Sequence, residues 1–241
     1  MSFTYNDYRK LMTLLRDNGY AFANYHNFAE HKRCVIMRHD VDNSLPQAVR
    51  MAELEAENGV QSTFFVLLRT DFYNVASASA QKMLRRILAL GHEIGLHFDE
   101  KAYEGGDAED MIRRILREKD ILSALLDTEV TTVSMHRPSK AALEANEKIP
   151  GMVNSYGEVF FHNFKYMSDS RRRWREPVES IIRAGEHDRL HILTHPFWYH
   201  NDEESIAESV GAFVRSARHE RYLQMAENIT DIDSIIKEEN I

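Results

Sequence analysis

Cys34-Val35-Ile36-Met37-Arg38-His39-Asp40-Val41-Asp42 is an apolar run that closes on two carboxylates. Read as a strand over 35–41, its period-two alternation puts Asp40 and Asp42 on one face at the C-terminal end. There they must hold a metal, pair with a cation or meet solvent. A solvated acidic turn after a buried strand would look the same. The weight moves towards chemistry because later apolar runs also end in histidine.

Outward from this stretch the chain alternates helices and strands. Upstream, Tyr5, Tyr8, Leu11, Met12 and Leu15 recur at three- and four-residue spacing before Gly19, which predicts an opening amphipathic helix. Downstream, Ser44 and Pro46 begin a second helix that Asn58-Gly59 ends. The β-branched and aromatic run 61–68 predicts a second strand. A helix over 80–90 stops at Gly91, a third strand covers 92–98, and Asp107 caps the next helix. Strand 130–135 runs into His136-Arg137-Pro138. Beyond Pro150 the pattern gives short strands at 152–155 and 158–161 and a helix from Pro177 to Gly185. A last strand at 190–194 meets His195-Pro196-Phe197-Trp198, and helices over 203–222 and 232–239 close the chain.

Repeated strand–helix units with continuous apolar strands imply a parallel sheet covered by helices. Seven or so units suit a barrel better than an open dinucleotide-binding sheet, and no Gly-x-Gly-x-x-Gly follows the first strand. No Pro/Gly/Ser-rich linker divides residues 1–241, which reads as one domain. In such a barrel the site lies at the C-terminal strand ends. Asp40, Asp42, His97, His136 and His195 all fall there.

Composition narrows the function. A formal net charge of −8 argues against general nucleic-acid binding. Arg171-Arg172-Arg173-Trp174-Arg175 is a local exception, either a solvated loop edge or a contact for a substrate phosphate or sugar carboxylate. The lone Cys34 has no partner for an intramolecular disulfide and reads as a packed thiol. The first sixteen residues lack a secretory pattern, and no apolar run reaches the roughly 18 residues of a membrane span, so a cytoplasmic protein is expected.

Each candidate has a specific use. His92 and His97 are five residues apart and so face opposite ways on a strand, leaving His97 as the ligand and His92 as a structural residue. Asp99 shares the His97 face as a further ligand or an orienting group. His136 beside Arg137 suits metal binding, a carboxylate contact or a substrate oxygen. His195, in an apolar and aromatic setting, suits a general acid. Trp198 and Phe197 suit packing on a sugar ring or in the core.

Together these segments resemble the polysaccharide deacetylases, the family-four carbohydrate esterases related to nodulation deacetylases. Arg38-His39-Asp40-Val41-Asp42 resembles the first motif of that family and Gly91-His92-Glu93-Ile94-Gly95-Leu96-His97 the second. His136-Arg137-Pro138 is similar to the third, Asp169 to Trp174 loosely to the fourth, and Leu193-Thr194-His195 to the fifth. The resemblance implies a distorted (β/α)7 barrel holding a divalent metal, usually zinc, that removes an N-acetyl or other acyl group from an amino sugar. It implies Asp42 and His97 as metal ligands, Asp40 as base, Arg137 as the residue orienting that base, and His195 as acid, with Asp169 and Trp198 towards the carbohydrate.

Two departures stand out. Val41 separates the aspartates, so their roles are open to exchange, and Lys101 stands where a second histidine ligand is expected, leaving His136 or Asp99 to complete the set. Three functions follow: a deacetylase acting on an intracellular precursor of surface polysaccharide such as lipopolysaccharide or O-antigen, a non-catalytic sugar-binding protein on a decayed deacetylase fold, and a two-histidine-one-carboxylate iron oxygenase.

Overall fold

The computed structural model describes residues 1–140 and 148–240, which fall into two compact units, Met1–Asn201 and Asp202–Ile241. In the first unit the strands are β1 (Ala21–Ala23), β2 (Cys34–Val41), β3 (Thr63–Leu67), β4 (Glu93–Phe98), β5 (Thr132–Met135), β6 (Val153–Asn154), β7 (Lys165–Ser168) and β8 (Arg189–Thr194). They form one parallel sheet in the order β6-β5-β4-β3-β2-β8-β7. β1 pairs with the first half of β2, at 34–36, and β3 with the second half, at 38–41.

The sheet curls into a distorted (β/α)7 barrel. Arg38 on central β2 reaches Ser134 on β5 and Ser155 just beyond β6, a contact that only a closed curvature allows. Among the described residues no hydrogen-bonded pairing joins β6 to β7, so the barrel is open between those edges. Alternation along β2 fills both faces. Cys34 and Ile36 point into an inner aromatic cluster with Tyr25, Phe65, Phe160 and Phe164, while Val35, Met37 and Val41 pack against the outer helices.

Those helices are α1 (Tyr5–Asp17), α2 (Leu45–Glu57), α3 (Ala78–Ala89), α4 (Ala108–Leu126), α5 (Glu158–His162) and α6 (Val178–Ala184). The expected caps are present: Ser44 accepts from Gln47 N–H, and Asp107 and Asp110 form a reciprocal capping box. On α1 the residues Tyr8, Leu11, Met12 and Leu15 are fully buried, each apolar side chain contributing roughly 1.5–3 kcal/mol.

One sequence expectation is corrected and one strand is added. Residues 158–161 form the start of α5, not a strand, because Phe160 alone turns into the inner cluster while Val159 and Phe161 stay exposed. The strand of this region is β7, whose mixed sequence Lys-Tyr-Met-Ser gave no apolar signal.

In the second unit, α7 (Ile206–Ala226) starts at a Ser205–Glu208 capping box, and Tyr222 OH donates to Asp233. None of the described helices is long and apolar enough to cross a membrane.

Candidate metal centre

Parallel strands deliver their C-terminal residues to one rim, and four of them converge here. Asp42 follows β2, His97 is the penultimate residue of β4, His136 follows β5 and His195 follows β8. His97 Nε2 lies 3.3 Å from Asp42 Oδ1, and His136 Nδ1 lies 3.2 Å from the same oxygen. Each of the three residues offers a ligand atom, and these atoms all lie within 4.8 Å of one another.

The positions of the imidazoles are set from behind. His97 Nδ1 faces the Ser134 carbonyl at 3.4 Å, and its Nε2 is turned to Asp42. His136 is held through its backbone, its N–H donating to the Phe98 carbonyl at 2.9 Å. Asp42 Oδ1 is shut off from solvent and makes no hydrogen bond among the described residues. Burial alone raises the Asp42 carboxyl, yet the His136 and His97 nitrogens facing it hold it well below the usual carboxylate range. A desolvated carboxylate oxygen with two imidazole nitrogens beside it is a donor set that fits a divalent cation of borderline softness.

Asp40 sits one layer deeper. Arg38 Nε donates to Oδ1 at 2.9 Å and Nη2 to Oδ2 at 2.8 Å, and neither side chain is open to solvent. The guanidinium also donates to Ser155 Oγ at 3.1 Å and to Ser134 Oγ, and lies over the Phe65 and Tyr156 rings at 5.2 and 4.8 Å. Burial raises the Asp40 carboxyl, but Arg38 first and then His97 outweigh it, so it stays ionised. Its Oδ2 is 3.5 Å from His97 Nε2.

His195 is built for the opposite charge. The fully buried Asp169 takes its Nδ1–H at 2.6 Å and its backbone N–H at 3.1 Å. Burial lowers the imidazole pKa, but the Asp169 carboxylate wins and pushes it up to about 9. Its Nε2 faces Asp42 Oδ2 at 3.8 Å.

Several expected positions land elsewhere. Arg137, expected to orient Asp40, instead pairs with Asp99 and is half exposed; Arg38 is the cation on Asp40. Asp99 is occupied by Arg137 and by the Lys101 N–H, so His136 and not Asp99 completes the cluster. Asp169, expected towards the carbohydrate, lies fully buried under His195 and holds its Nδ1. Trp198 is partly buried against the core and edge-on to Phe197 at 4.7 Å. Arg38 was overlooked, although a lone cation inside an apolar run, two residues before Asp40, was a signal for it.

The outer face of the same strand ends carries a second polar set. Glu55 of α2, fully buried, accepts from Tyr8 OH at 2.6 Å and faces His39 Nε2 at 2.9 Å, with Ser62 Oγ on its other oxygen. Thr194 Oγ1 meets His39 Nδ1 at 2.7 Å, tying β8 to β2 where Asp40 and His195 emerge. His92 bonds to the Ser62 N–H and the Ala52 carbonyl, in keeping with a structural residue.

No protein-family model matches the chain, and no curated protein matches it in sequence. Among solved structures it resembles a family 4 carbohydrate esterase pseudoenzyme from Bacillus anthracis at 17% identity, TM-score 0.46, covering 79% of this chain and 62% of that one. It also resembles a family 4 carbohydrate esterase from Bacillus anthracis at 16% identity, TM-score 0.44, covering 87% and 85%. A third is a family 4 acetyl xylan esterase from Clostridium thermocellum in complex with a cobalt ion, at 16% identity, TM-score 0.44, covering 77% and 84%. The likeness is remote, and the roles assigned below rest on this chain's own residues.

Proposed function

We propose that the protein is a metal-dependent hydrolase that removes an N-acetyl or related acyl group from an amino sugar. The observation that carries this reading is the pairing of a carboxylate–dihistidine cluster with the imidazole of His195, whose Nε2 is 3.8 Å from Asp42 and whose Nδ1 is held by Asp169 at 2.6 Å. Asp42, His97 and His136 would hold the ion, with zinc foremost. Such an ion, when bound, acidifies water and polarises the acyl carbonyl.

The other groups divide the proton work. Asp40, ionised and aimed by Arg38, accepts the proton of the attacking water; the bidentate grip costs it basicity and gives it a fixed direction. His195 donates its Nε2 proton to the departing amine, which must be protonated to leave, and Asp169 keeps that proton in place at neutral pH. Trp198 supplies an aromatic wall for a sugar ring. The finer reading is a precursor of surface polysaccharide as substrate.

A non-catalytic sugar-binding protein is the second reading, favoured by Lys101 at the expected ligand position and by the low basicity of a doubly clamped Asp40. Elemental analysis and acetate release from a panel of N-acetylated amino sugars separate the two. The hydrolase reading expects about one divalent ion per chain and turnover that Asp42→Ala abolishes together with the ion. Sugar binding with neither ion nor acetate would overturn it.

A further inference from the structure

The loop leaving β7 carries four arginines in five positions, Arg171-Arg172-Arg173-Trp174-Arg175, and it begins at the carboxylate that holds His195. Arg173 N–H donates to the Asp169 carbonyl at 3.1 Å, folding the loop back on its own start. Only Ser170 separates Arg171 from Asp169, at most about 7.6 Å between Cα atoms, and an extended arginine covers a similar distance. Arg171 is therefore within reach of the edge of the proposed catalytic centre, and Arg173 and Arg175 follow it in the same loop.

Backbone and charge both set this loop apart from an ordinary solvated edge. Arg171 and Arg172 are consecutive left-handed residues, at φ 62° and 54°. Glycine would adopt that geometry without a β-carbon penalty, yet the chain places guanidinium groups there. Arg171, Arg173 and Arg175 are exposed, and none of the three makes an ion pair, side-chain hydrogen bond or ring contact among the described residues. This occurs in a protein with a formal net charge of −8, where carboxylate partners are plentiful. In the same loop the Trp174 Nε1 is buried and has no hydrogen-bond partner among the described residues.

Clustered, unpaired guanidinium groups on a fixed loop match the planar, multiply charged oxygens of a phosphate better than a single carboxylate. We propose that loop 170–176 is a subsite for a phosphate group carried by the substrate, which is then an amino sugar bearing a phosphate ester or diphosphate linkage. The identity of the sugar rests on the hydrolase reading; recognition of the phosphate does not.

Calorimetry with N-acetylglucosamine, its 1-phosphate and its uridine diphosphate conjugate tests this on the full chain. The phosphate ester is expected to bind about tenfold or more tightly than the neutral sugar, a preference that shrinks as salt rises from about 0.05 M to about 0.5 M. In the variant Arg171→Gly/Arg173→Gln/Arg175→Gln the ratio of the two affinities falls to about twofold or less. Glycine suits the left-handed backbone at 171, so Arg171→Gly alone, read with the same salt series and a thermal midpoint, decides the matter if the triple variant misfolds. A tighter diphosphate conjugate assigns the linkage to a diphosphate, and equal affinities assign it to a monoester. A ratio near one in the unaltered protein, or one that survives the variants, overturns the subsite. Phosphate-selective binding without acetate release would leave the subsite standing and remove the hydrolase reading; acetate release with phosphate-indifferent binding would do the reverse.

Discussion

Arg38 and Asp40, two residues apart on one strand, form a bidentate ion pair in the barrel interior with both side chains removed from water. Truncating one member strands the other as a buried charge. Arg38→Met should therefore lower the unfolding free energy by about 3–5 kcal/mol, while the double variant Arg38→Met/Asp40→Leu recovers much of the loss. Urea titrations of the three proteins check this; equal stability of single and double variants would show that the pair is not mutually dependent.

His195 should set an alkaline limit. Its pKa is pushed up to about 9 by Asp169, so the acid form persists through neutrality and the rate falls as pH climbs past that value. Asp169→Asn removes the charge that raises the pKa, and the descending limb of kcat against pH should move towards lower pH. The sign for stability is the same: the contribution is complete below the unfolded value of about 6.5 and is lost as pH rises through about 9. An unchanged limb in Asp169→Asn would remove His195 as the acid.

Glu55 should act as a stability switch on the acid side. Burial raises its carboxyl, but His39 foremost holds it below the ordinary range, so its contribution is present above the unfolded value of about 4.5 and disappears as pH falls through the folded one. Glu55→Gln, which keeps the shape and loses the charge, is expected to cost about 2–4 kcal/mol at pH 7 and to flatten the acid limb of unfolding. Thermal midpoints measured from about pH 7 down to about pH 2 decide it.

Gly95 on β4 gives up its side chain to the Phe65 ring. A β-carbon there would sit 2.5 Å from Phe65 Cε1 and 2.6 Å from Thr132 Oγ1. Gly95→Ala should destabilise by about 1–3 kcal/mol, and Phe65→Leu in the same chain should return part of that loss by freeing space. Additive penalties in the double variant would place the strain elsewhere.

Much of the site was readable because strand period and strand end are local properties. Alternation alone put Asp40 and Asp42 on one face, and the apolar runs before His97, His136 and His195 placed them at the same rim. Pairing between distant residues was not readable. Nothing near Arg137 in sequence says that it goes to Asp99 while Arg38 takes Asp40, since both outcomes depend on which side chains the curled sheet brings inward. Asp169 stood out by its place in a motif, but its burial beneath His195 depends on the β7–β8 pairing, and β7 itself escaped a reading based on apolar runs. The exchange of strand for helix at 158–161 has a similar cause: four apolar-rich residues carry too few repeats to separate a period of two from one of 3.6.

Beneath Arg38 the barrel is filled by Phe65, Tyr25, Phe160, Phe164 and His191, packed ring against ring. That packing closes the floor of the barrel and leaves the rim and the seam between β6 and β7 as the ways in. On the hydrolase reading, reactant and product share this rim, so accumulated product should slow turnover by simple obstruction, and widening the lip rather than sharpening the chemistry would be the way to relieve it.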